Sequence, residues 1–118
     1  MKVFWQDGKT GVHADDATEM TRTQALDRWA DLRGKHGNFF GLIDDQDRVL
    51  QFYFDESIPD DVDDASHLRI VRAEIPVPAR KGSLGMQVTI AEARELIDRC
   101  FGSGADPEAF SQFTFEAW

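Results

Sequence analysis

At 118 residues the chain has the length of one domain and enough material for one sizeable core, so residues 1–118 are read as a single unit. It is 42% hydrophobic and 30% charged, the balance of a folded globular chain, not a disordered or fibrous one. Asp and Glu total 22 against 13 Lys and Arg, a formal net charge of −9. That sign argues against nucleic-acid phosphate or an anionic membrane as a partner, and it either favours a cationic protein or serves only to keep the chain soluble.

The single Cys100 cannot form an internal disulfide, so the chain reads as cytoplasmic, or at least indifferent to oxidation. No apolar run approaches the roughly 18 residues a membrane helix needs. Residues Met1 to Gly8 carry charge and a turn signal where a secretory apolar segment would lie, so no leader is expected.

In chain order, Val3–Gln6 reads as a strand, Asp7-Gly8 as a hairpin turn, and Lys9–His13 as the return strand. Asp15–Glu19 is polar. Thr21 to Gln24 fits a capping box, after which Ala25, Leu26, Trp29, Ala30 and Leu32 recur at helical period, with Gly34 suited to the closing left-handed position. Phe39–Ile43 and Val49–Phe54 form a hairpin around Asp44–Asp47. In its second strand Leu50, Phe52 and Phe54 share a buried face, leaving Gln51, Tyr53 and Asp55 on a wet one.

Asp55–Ser66 is a loop. Leu68–Val77 reads as a long strand whose two apolar parities require a bulge near Ile70–Val71. Ala79–Gly85 reads as a basic loop. Thr89 to Glu92 opens a second helix with a full capping box, Ala93, Leu96, Ile97, Cys100 and Phe101 form its stripe, and Gly102 suits its end. Phe113–Trp118 alternates as a closing strand. The fold class is therefore α+β, a mostly antiparallel sheet of about five to six strands with two amphipathic helices packed on one face. The expected core comprises Phe4, Leu26, Trp29, Phe40, Leu42, Leu50, Phe52, Phe54, Ile75, Leu96, Ile97, Phe101, Phe113 and Phe115.

Searches for chemistry return little. Phosphate-cradling glycine patterns and a nucleophile elbow are missing, and one Cys with three separated histidines does not make a zinc site. Asp61 and Asp63 alternate as calcium ligands would, but Ala65 follows and no Gly completes the loop. No cofactor or metal and no catalytic residue is expected. The non-random feature is acidic: Asp44, Asp45, Asp47, Asp55, Glu56, Asp60, Asp61, Asp63 and Asp64, with Arg48 the one base among them, net −8 within 21 residues. Beside Tyr53 on the wet face, these residues are the candidate contacts for a basic protein. If the loop after Phe54 folds back, the acids merge into one patch; if not, they stand roughly 20 Å apart at the two ends of a strand.

The hairpin strands Phe39–Ile43 and Val49–Phe54, the capped helix Val88–Ile97, the Phe101-Gly102 pair, the Pro107 loop and the closing Phe115-x-x-Trp118 carry a resemblance. Together they resemble the Imm-type immunity proteins of bacterial polymorphic-toxin systems, over about the last two-thirds of the chain. The resemblance implies a small non-catalytic cytoplasmic protein that binds a cognate toxin domain and occludes its active site. Two other readings stand beside it. One is an accessory or regulatory protein-binding module of a bacterial assembly. The other is a small carboxylate-dependent hydrolase or isomerase, which requires a buried acid of raised pKa.

Overall fold

The computed structural model describes residues 1–118. Eight strands form one antiparallel sheet: β1 (Lys2–Asp7), β2 (Thr10–Val12), β3 (Thr18–Glu19), β4 (Phe39–Ile43), β5 (Val49–Phe54), β6 (Val71–Val77), β7 (Gly82–Val88) and β8 (Thr114–Ala117). The order across the sheet is β2-β1-β4-β5-β6-β7-β8, and β3 shares the β2 edge by pairing with the start of β1. Helices α1 (Arg22–Asp31) and α2 (Ile90–Ser103) pack against each other over one face. The fold is thus α+β as expected, with more strands than the sequence revealed.

Both capping boxes form. Thr21 Oγ1 accepts from Gln24 N while Gln24 Oε1 accepts from Thr21 N, and Thr89 and Glu92 do the same at α2. From the helices, Leu26, Trp29, Leu96, Ile97 and Cys100 meet the strand residues Val3, Phe40, Leu42, Leu50, Phe52, Phe54, Val71, Ala73 and Ile75 in one core. Trp29 stacks on Phe54 at 5.5 Å and also touches Phe40 and Phe52, each at 5.8 Å. Phe110, in a 3₁₀ turn (Pro107–Phe110), plugs the end of that core. Of the expected core, Phe101 and Phe115 are only half-buried, and Phe4 is buried on the opposite side of the sheet.

Other local expectations are corrected. The first hairpin turns on Gly8-Lys9, not Asp7-Gly8, because Asp7 pairs with Thr10. Asp15–Glu19 is not merely polar approach: a 3₁₀ turn (Ala14–Asp16) leads into β3. Gly34 has no left-handed φ; α1 ends at Leu32, and Gly34 leaves room for the Ile58 side chain, which a Cβ there would strike. The strand expected from Leu68 starts only at Val71, so no bulge is needed. One parity, Val71, Ala73 and Ile75, faces the core throughout.

The largest correction is Ala79–Gly85. The chain turns on Pro78–Lys81, with Lys81 left-handed at φ 54°, and Gly82–Val88 pairs with all of β6. Gly82, Ser83 and Gly85 have poor strand propensity. Pairing on both sides, with β6 and β8, overrides it. Finally, α2 runs one residue past Gly102, and Gly104 carries the cap at φ 71°, ψ −174°, a region essentially reserved for glycine. No helix is long and apolar enough to cross a membrane.

Candidate functional site

Because both helices lie on one side, alternation along the strands leaves the other side of the sheet uncovered. Phe4, Phe39, Ile43, Val49, Gln51, Tyr53, Arg72 and Glu74 point there, out of register with the core residues between them. In the middle of this face β4 carries Gly41, opposite Phe4 on β1. A Cβ at Gly41 would collide with the Phe4 ring, so the glycine lets that ring lie flat across the strand. Phe39 stands beside it at 6.2 Å, and Tyr53 is the direct cross-strand partner of Phe39. Phe4, Gly37, Phe39, Gln51 and Tyr53 thereby line an open groove of about 430 Å³.

Tyr53 is fixed on this face by a hydrogen bond that its hydroxyl donates to Glu74 Oε1 at 3.1 Å. Burial, then the Glu74 charge, pushes the phenol above its ordinary value. Arg72 lies 3.5 Å from Glu74 and donates to Glu116 at 2.9 Å, so its positive charge is more than balanced by the two carboxylates beside it.

The acids do not form one patch. Asp44, Asp45 and Asp47 lie in the β4–β5 turn, the last two exposed, and the other six follow the far end of β5, a strand length of roughly 20 Å away. The loop after Phe54 does not fold back because it is tied elsewhere. Ile58 N donates to Gly34 O at 2.7 Å, His36 N donates to Ser57 Oγ, and the carbonyls of Ser66 and Leu68 receive the first N–H groups of α2. On this pinned loop Glu56, Asp60, Asp61, Asp63 and Asp64 are exposed. Asp64 accepts from Ser66 N, which holds its carboxyl below the ordinary value. Asp55 is half-buried and accepts from Gln87 Nε2 through both oxygens.

Asp44 departs most from its expected role as a surface contact. It is buried, 5% exposed, and accepts four hydrogen bonds: from Gln46 N, Arg48 N, Arg48 Nε and Ala105 N. Burial alone would raise its pKa, but the Arg48 and Ala105 backbone donors and the Arg48 side chain hold it below the ordinary value. It is a fastener between the β4–β5 turn and the end of α2, and its lowered pKa is the reverse of what a proton donor needs. Cys100 is buried, and its thiol is pushed up to about 12 by burial, the behaviour of a core residue.

Sequence reasoning missed the aromatic groove. From the sequence Phe4 reads as a core residue and Phe39 as part of a strand with no face specified. The available signal was that Phe39–Ile43 is apolar at every position, so both faces of that strand had to be apolar. No protein-family model, curated protein or solved structure matches this chain.

Proposed function

We propose that this chain is a non-catalytic, immunity-type protein that works in the cytoplasm by binding a cognate basic toxin domain of bacterial origin and occluding its active site. The observation that carries this reading is the acidic loop: Glu56, Asp60, Asp61, Asp63 and Asp64 stand exposed on a segment that leaves β5 and is anchored to Gly34 and His36 of the α1–β4 connection and to the start of α2. Fixed like-signed charges on one loop raise the encounter rate of a cationic partner and reject anionic ones, while adding less to final affinity. A toxin that acts on nucleic acid or nucleotide needs a cationic cleft for phosphate. Carboxylates entering that cleft pair with the lysines and arginines that would otherwise meet substrate. No bond is made or broken in this mechanism.

The test is co-expression with the protein encoded by the gene immediately upstream. The expected result is that the neighbour arrests growth alone, that this chain restores growth, and that the two purify as a complex. Asp60→Lys, Asp61→Lys, Asp63→Lys and Asp64→Lys combined should abolish rescue at low expression. A neighbour that is harmless overturns the reading; rescue untouched by the fourfold reversal overturns the acidic loop as the contact surface and leaves inhibition through another one.

A further inference from the structure

The split of the acids into two clusters has a geometric sense once the uncovered sheet face is considered with them. Asp45 and Asp47 stand beyond the Ile43–Val49 end of the β4–β5 hairpin, with Lys2 as their neighbour on β1. Asp55 and Glu56 stand beyond the Tyr53–Phe54 end. Between them lies the groove of Phe4, Phe39 and Tyr53, with the Phe4 ring seated over Gly41. Arg72, the large cation near the centre, is already neutralised by Glu74 and Glu116. The face therefore presents an apolar centre bracketed by negative charge at both ends, over the roughly 20 Å of a six-residue strand.

We infer that this face is the centre of the interface. The groove takes an apolar or aromatic side chain of the basic partner, whose lysines or arginines reach outward to the two acidic ends. The inference rests on the reading above and adds to it the chemistry of the recognised element. Charge complementarity selects a cationic protein as the occupant. The half-buried rings of Phe39 and Tyr53 in a preformed concavity supply what exposed carboxylates cannot, namely apolar area removed from water at the middle of a charged rim. Phe4 is held by its seat on Gly41 and Tyr53 by Glu74, so little ordering is needed on binding.

The test needs no knowledge of the partner. Two synthetic peptides serve as probes, each with two lysines at either end and an extended span of roughly 20 Å, one with a central tryptophan and one with serine in its place. Both are titrated into the ¹⁵N-labelled protein while amide shifts are followed. The tryptophan peptide is expected to move the amides of Phe4, Phe39, Gln51 and Tyr53 together with those of Asp45 and Asp55, and the serine peptide only those of the acidic ends. Phe39→Ala should weaken the tryptophan peptide about tenfold and leave the serine peptide unchanged. Phe39→Leu, which keeps the strand apolar and adds no charge, should weaken the tryptophan peptide in the same direction and leave the serine peptide unchanged if Phe39→Ala does not fold. Shifts confined to the acidic ends for both peptides overturn the groove and leave the acidic-loop reading standing. Tryptophan-dependent shifts on the helices or on β8 also overturn it. Silence from the acidic residues as well as the groove removes both.

Discussion

Replacing Asp44 by Ala removes one carboxylate and four accepted hydrogen bonds. The Ala105 N–H it leaves behind is fully buried and has no second partner, a loss of about 1–3 kcal/mol. Arg48 Nε loses a charge-assisted bond, but its side chain is 30% exposed and water recovers part of it, leaving about 1 kcal/mol. The two turn N–H groups of Gln46 and Arg48 are part-buried and add about 0.5 kcal/mol each. The total is about 3 to 5 kcal/mol, or a fall in Tm of about 12–20 °C for a domain of this size.

Asp44→Asn is no rescue. Its Oδ1 can keep the turn donors, but its amide group then faces the N–H groups of Ala105 and Arg48. The folded-state pKa of Asp44 is lowered, so its contribution is complete above the unfolded value near 3.8 and is lost as pH falls from there toward the folded value. Urea titrations of the wild type and both variants at pH 7 and across pH 5 to 2 measure this directly. A loss of less than 1 kcal/mol in Asp44→Ala at neutral pH would refute the fastener role.

Trp29→Ala should cost about 4 kcal/mol, because the indole is 5% exposed and touches three phenylalanine rings; a urea midpoint shift at unchanged slope checks it. Gly104→Ala should cost about 2 kcal/mol by thermal unfolding. Its φ of 71° with ψ near 180° strains an L-residue, and the added Cβ would sit 2.9 Å from Asp44 Oδ2. Thr89→Ala removes the hydroxyl cap of α2 and should cost about 1 kcal/mol, whereas Thr89→Ser should be nearly silent in the same assay.

What the sequence made legible were the elements that specify themselves locally. Two capping boxes marked the helix starts at Arg22 and Ile90, and strict alternation marked β5 with the faces it has. What stayed hidden depends on partners far along the chain. The strand β7 contains Gly82, Ser83 and Gly85, and only its pairing with β6 and β8 makes it a strand. Asp44 looked like its neighbours Asp45 and Asp47, and its burial is set by Ala105, 61 residues away. Likewise, Phe4 reads as one more core aromatic until the topology shows that both helices cover the other side. The acidic composition was legible, but the division of the acids between the two ends of β5 follows from the anchoring of Ile58 on Gly34.

The central claim is that the Asp55–Asp64 loop meets a positively charged protein. Its most direct measurement is the association rate with the protein encoded upstream, followed by stopped flow from low to high salt for the wild type and the fourfold Asp60, Asp61, Asp63 and Asp64 to Lys variant. Steering by this loop predicts a wild-type rate at least about tenfold above the variant at low ionic strength, with the two converging as salt screens the charges. Equal rates at low salt, or a wild-type rate indifferent to salt, would contradict the claim.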